Sequence, residues 1–183
     1  MIKVKLGLLA GAWSVLFFIT ACSHNTGQAT HETAVNTTEA AKYQTYVKAG
    51  QRVPVMQFID IQGQHINLGQ SEHKKLLILF ATWCPDSQRA MKALVQSTLM
   101  NDDTVDIIGI GREESVASLQ RFAKEYHVPF SLVADKDRSV YRQFASAGIP
   151  RFILLDKHNQ IVKTILLEDD EGNTGQLLAP IQW

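Results

Sequence analysis

The chain has 183 residues, 45% of them apolar, and its 18 lysines and arginines balance 18 aspartates and glutamates. That length supports one well-cored domain with appendages and argues against two. A neutral chain with no basic stripe gains little from neutralising phosphates, which excludes nucleic acid as a partner.

At the amino terminus Lys3 and Lys5 precede the uncharged run Leu6–Ala21. A membrane-spanning helix needs about twenty apolar residues, so the shorter run suits an export signal. An uncleaved anchor is the other reading, and both export the domain. Ile19-Thr20-Ala21-Cys22 is similar to a bacterial lipobox, in which small residues precede a cysteine that receives lipid and becomes the mature amino terminus. Residues 1–21 are therefore expected to be a lipoprotein signal peptide, with Cys22 the lipidation site and the membrane a partner through that lipid. The expected location is the bacterial cell envelope, facing the periplasm or exterior. Ser23 stands where an aspartate favours inner-membrane retention, so the outer membrane is one destination.

Residues 23–37 are small and polar and read as a tether. Ala40, Tyr43 and Val47 have helical spacing, and Gly50 stands at a cap position, so the spacing predicts a short helix over 38–49. The globular domain is expected over 50–183. Strands are predicted over 53–61 and 65–68 around a Gln62-Gly63 turn, and over 75–81, where continuous apolarity marks a strand covered on both faces. Pro85 suits a first helical turn, followed by apolar Met91, Leu94 and Val95. Further on, strand 105–110, helix 115–126 with Val116, Leu119, Ala123 and Tyr126 inward, strand 130–134, helix 138–145, strand 151–156 and strand 161–167 alternate. That alternation predicts an α/β sheet with parallel crossovers. Pro180 leaves room for only a short terminal helix within 172–183.

There are two cysteines. If Cys22 carries lipid, Cys84 is the one thiol left in an oxidising compartment, where thiols otherwise pair. It lies in Phe80-Ala81-Thr82-Trp83-Cys84-Pro85-Asp86-Ser87, at a strand-to-helix junction. A Cys-x-x-Cys pair closes its own disulfide, whereas Cys-x-x-Ser bonds only to something else.

The element order, Ala81-Thr82-Trp83-Cys84-Pro85 at a strand end and Ile149-Pro150 before the next strand together resemble the thioredoxin-like superfamily. The nearest type is the exported TlpA class of thiol-disulfide oxidoreductases, over residues 50–183. The resemblance implies a thioredoxin-like fold with an N-terminal β-hairpin, an inserted strand–helix unit and a truncated C-terminal helix. It also implies that Pro150 is cis and faces Cys84. Cys84, Ser87 and Pro150 form the expected catalytic set, with Trp83, Pro85 and Ile149 on the substrate side. Two departures matter. Ser87 replaces the resolving cysteine, and strand 76–80 lacks the buried acid that assists proton transfer in thioredoxins proper.

A thiol at a helix amino terminus sits among unsatisfied N–H groups and the positive end of the macrodipole, which favour the thiolate. Ser87, one turn on, is placed to donate its hydroxyl hydrogen to the sulfur, but it cannot attack a mixed disulfide. Release of a partner then requires an external resolving thiol. The expected substrates are exported proteins or low-molecular-weight thiols and disulfides, through mixed-disulfide or sulfenic-acid reduction. Trp83 is either an apolar wall beside the sulfur or a packed aromatic. Arg112 or Glu113 tunes the thiolate, unless that loop is only a solvated cap for the next helix. Asp86 opposes the thiolate and Arg89 favours it. Two other readings remain open: a non-catalytic interaction lipoprotein, and a one-cysteine peroxidase, whose threonine precedes the cysteine by three residues where Thr82 precedes it by two. The six histidines lack ligand spacing, and a second soft ligand beside Cys84 is missing, so no metal or other cofactor is expected.

Overall fold

The computed structural model describes residues 43–167 and 178–183. The signal run, Cys22 and the tether lie outside the described residues. Strands β1 (Gln57–Ile59) and β2 (His65–Asn67) form a hairpin. Then follow β3 (Lys74–Phe80), α1 (Pro85–Val95), β4 (Val105–Arg112), α2 (Val116–Tyr126), β5 (Ser131–Asp135), β6 (Arg151–Leu155) and β7 (Ile161–Leu166). The five-stranded sheet runs β5-β4-β3-β6-β7, parallel across β3, β4 and β5 and antiparallel at β6 and β7. The α/β expectation holds: the crossovers from β3 to β4 and from β4 to β5 are parallel, and β6 and β7 complete the sheet antiparallel.

β3 is apolar throughout because both of its faces are covered. Leu77 and Leu79 enter one core with Phe58, Tyr141, Phe144 and Ile153, while Leu76, Ile78 and Phe80 enter the other with Met91, Leu94, Leu119 and Phe122. Each such side chain contributes about 1.5–3 kcal/mol on burial. Both α-helices thus cover one face. In α1 the buried residues Ser87, Ala90, Met91 and Leu94 follow helical spacing, so Ser87 belongs to the core stripe.

Several expectations are corrected. Residues 43–50 are not helical: Thr45 bridges Ala145 antiparallel, Tyr46 N–H donates to the Phe144 carbonyl, and Val47 enters the core on the face without α-helices. The predicted helix over 138–145 shrinks to one 3₁₀ turn, Tyr141–Gln143. Its continuation is consumed by pairing with residues 44–46, and the Asp135 carboxylate already binds the Val140 and Tyr141 N–H groups. Regular pairing in the first predicted strand is confined to Gln57–Ile59, because Asp60 Oδ1 accepts from Gln62 and Gln64 N–H and turns the chain. Val116 is 44% exposed, since the buried stripe of α2 runs through Leu119 and Phe122. Residues 178–183 form a turn and a packed tail; the rest of the expected terminal helix lies outside the described residues.

Candidate active site

Cys84 is the N-cap residue of α1, with extended backbone and Pro85 opening the helix. It is 8% exposed, and its Sγ donates to the Ile149 carbonyl at 3.9 Å, a long contact within the reach of sulfur. The Ile149–Pro150 peptide bond is cis. The structure therefore brings Cys84 and the Ile149-Pro150 loop together, as the resemblance implied. The sulfur makes no capping hydrogen bond to the helix N–H groups.

Ser87 is fully buried and its Oγ accepts from Ala81 N–H at 3.3 Å, tying the helix to the strand end. Trp83 is 60% exposed, which rules out the packed-aromatic reading. Pro85 is exposed and Ile149 half-buried. Asp86 and Arg89 pair with each other across one turn of α1, so each charge has a local partner.

A buried acid comes not from β3 but from the loop between β4 and α2. Glu114, 4% exposed, accepts through Oε1 from Thr82 N–H at 2.8 Å and from Thr82 Oγ1–H at 2.6 Å. Gln88 Nε2 donates to the Thr82 carbonyl at 2.7 Å. Thr82 is thus gripped from two sides, two residues before Cys84. The sequence pointed to Arg112 or Glu113 in this loop; instead they pair with each other at 3.0 Å. Glu113 lies in the left-handed region at φ 61°, and that reversal turns Glu114 inward. Four consecutive polar or glycine residues at a strand's carboxyl end marked the loop, but not which acid enters.

Beyond the sulfur, Tyr141 is buried with its hydroxyl donating to the Gly148 carbonyl at 2.8 Å. The guanidinium groups of Arg112 and Arg138 lie 5.0 and 5.3 Å from its ring centroid. Burial pushes the Tyr141 phenol up from its ordinary value, against the opposing pull of Arg151, Arg112 and Arg138. Among the described residues no three His, Cys, Asp or Glu side chains gather to hold a metal.

Against known proteins, the chain is 29% identical over 118 residues to the thiol-disulfide oxidoreductase ResA of Halalkalibacterium halodurans, covering 63% of this chain and 67% of that one. The Bacillus cereus ResA is 23% identical over 124 residues, covering 67% and 72%. Among solved structures, a candidate protein disulfide isomerase from Bacteroides thetaiotaomicron superposes with a TM-score of 0.64 at 25% identity, over 74% of this chain and 89% of that one. A secreted Mycobacterium tuberculosis disulfide oxidoreductase gives 0.57 at 17% identity, over 67% and 91%, which shows the shared fold. Residues 48–178 match the Redoxin family. With a cysteine at the leading end of α1, a cis proline loop against its sulfur and a family match over most of its length, this chain belongs to the Redoxin family.

Proposed function

We propose that this protein is an exported thiol-disulfide oxidoreductase that works through one thiol. One observation carries the reading: Cys84 Sγ lies at the start of α1 against the Ile149 carbonyl, with a serine where a second thiol would resolve the bond. The names of the ResA relatives support the reaction class.

In the forward step the Cys84 sulfur, having lost its proton, attacks one sulfur of a partner disulfide. That disulfide breaks, the other sulfur leaves as a thiolate and takes up a proton, and Cys84 holds the mixed disulfide. Ser87 has no sulfur to displace the partner. An external thiol attacks the partner's sulfur in the mixed disulfide, releasing the Cys84 thiolate to be reprotonated and carrying the partner away as a new disulfide. Electrons balance at each step, because each exchange breaks one disulfide and forms another. Thr82, held by Glu114 and Gln88, keeps the strand end in place while the sulfur changes partners. Trp83, Pro85 and Ile149 supply the apolar rim on which a substrate segment rests.

The partners proposed are exported polypeptides or small thiols and disulfides. The lipobox-like segment supports a lipid tether at Cys22 in the cell envelope. The test is mass spectrometry of the full-length protein isolated under acid quench. The expected result is a fraction of position 84 bonded to a small thiol or a protein. A wholly free thiol, with no capture of added disulfide, overturns the reading.

A further inference from the structure

We propose that the strap Tyr43–Val47 forms, with the loop Ala147–Pro150, the edge on which a peptide substrate docks beside Cys84, and that Arg151 is a positioning residue which holds the strap against that loop. The inference rests on thiol exchange at Cys84.

Arg151 opens β6 immediately after Pro150, and its side chain is 2% exposed. Burying a guanidinium is costly unless its donors are satisfied, so the identity of its partners is informative. Nη1 donates to Thr45 Oγ1 at 2.6 Å; Nη2 donates to the Ala147 carbonyl at 2.8 Å and to the Tyr43 carbonyl at 3.4 Å. One planar fork therefore joins the strap to the loop, a task that the fixed geometry of arginine suits and that of lysine does not.

The backbone repeats the same connection. Tyr46 N–H donates to the Phe144 carbonyl at 2.8 Å and Ser146 N–H to the Gln44 carbonyl at 2.9 Å, so the strap runs as a short extended segment beside residues 144–146. At Gly148, φ is 90°, and a Cβ there would lie 2.8 Å from Tyr43 Cδ1. The tyrosine ring thus packs directly on the loop glycine. From the other side the Tyr141 hydroxyl holds the Gly148 carbonyl. The next carbonyl along, that of Ile149, is the one against the sulfur.

The guanidinium's own bonds run to the loop and the strap, while the strap's anchorage in the core comes through Val47. Their consequence is local: they define the edge on which an extended substrate segment lies while its disulfide meets Cys84. A small disulfide needs only the sulfur, whereas a peptide disulfide needs the loop as well.

The test uses the full-length protein and compares exchange with 2-hydroxyethyl disulfide and with an extended peptide carrying a disulfide. Thr45→Val removes the hydroxyl acceptor at nearly constant volume, and Arg151→Lys keeps the charge but loses the fork. Both are expected to slow capture of the peptide disulfide roughly tenfold while leaving the small disulfide within about twofold, since a small misplacement of a docking edge is costly to an oriented reaction. Thr45→Ser restores an acceptor and is expected to restore the peptide rate. Peptide capture at the wild-type rate in Thr45→Val overturns the proposal, and so does an equal fall with both disulfides. If Arg151→Lys fails to fold, the Thr45 pair decides. If the wild-type protein exchanges with neither disulfide, the functional reading itself fails, and this inference with it.

Discussion

At the carboxyl end of β3 the chain leaves the sheet through polar clamps, Glu114 and Gln88 on Thr82 and Ser87 on Ala81. The amino end of the same strand is closed differently. There Lys74 lies over the Trp183 ring at 5.5 Å, the Trp183 indole N–H reaches the Leu155 carbonyl at 2.9 Å, and the buried Lys75 ammonium donates to the Ser71 carbonyl at 2.6 Å. Burial holds the Lys75 ammonium below its ordinary value, with Asp106, Glu72 and Asp156 pulling the other way. Hydrogen bonds fix direction with little apolar area, whereas an aromatic cover fixes stability with little direction. The working end should therefore respond to substitution in rate, and the far end in folding free energy.

The largest expected effect separates the ends completely. Cys84→Ser should abolish mixed-disulfide formation with any substrate, as followed by gel shift under non-reducing conditions. Ser87→Cys should change the kind of product instead. With diamide as the two-electron oxidant, positions 84 and 87 close an internal disulfide, and the intact mass falls by about two hydrogens as diamide takes them up. Trapped partner complexes should become short-lived. Persistence of long-lived complexes in Ser87→Cys would mean that the buried position 87 cannot reach the mixed disulfide.

At the far end, Trp183→Ala removes a half-buried indole and its hydrogen bond, and should cost about 2–3 kcal/mol of stability, at or below the lower edge for buried aromatics. Denaturant midpoints measure it. Exchange rate per folded molecule should not move; a fall in that rate would join the two ends and undo the contrast.

Both cores were legible in the sequence, because the continuous apolar run of β3 and the helical spacing of Met91 and Leu94 depend only on local pattern. The cysteine, the proline loop and their meeting were legible through the resemblance. The strap was not: Tyr43 and Val47 have helical spacing, yet Gln44–Tyr46 between them pair with Phe144–Ser146, about a hundred residues away in sequence, where no local signal reaches. For the same reason the helix predicted over 138–145 was too long. Glu114 was obscured by its neighbour, since which of two adjacent acids turns inward depends on a left-handed residue that sequence does not mark when it is not glycine.

Glu114 gives the next effect in size. Glu114→Ala frees the Thr82 N–H and hydroxyl and should cost about 2 kcal/mol, the typical penalty of leaving part-buried donors unpaired. Unlike Trp183→Ala, it should also slow exchange per folded molecule. Glu114→Gln keeps an acceptor oxygen and should recover most of both losses. Equal exchange rates in wild type and Glu114→Ala would show that the clamp serves folding alone, as the indole does.

The smallest effect is confined to alkaline pH and sits behind the loop. The Tyr141 phenol is raised above its ordinary value of about 10 by burial, so the folded state favours the protonated form. Below pH 10 both folded and unfolded chains hold that proton, and the hydroxyl's full contribution is present. As pH climbs past 10 the unfolded chain releases it first, and stability drains away up to the folded value. Tyr141→Phe has no such proton. It should lose about 1 kcal/mol at neutral pH with the bond to the Gly148 carbonyl, and should show a flatter decline above pH 10 in chemical denaturation at stepped pH. An identical alkaline slope in both proteins would show that the Tyr141 proton does not set it.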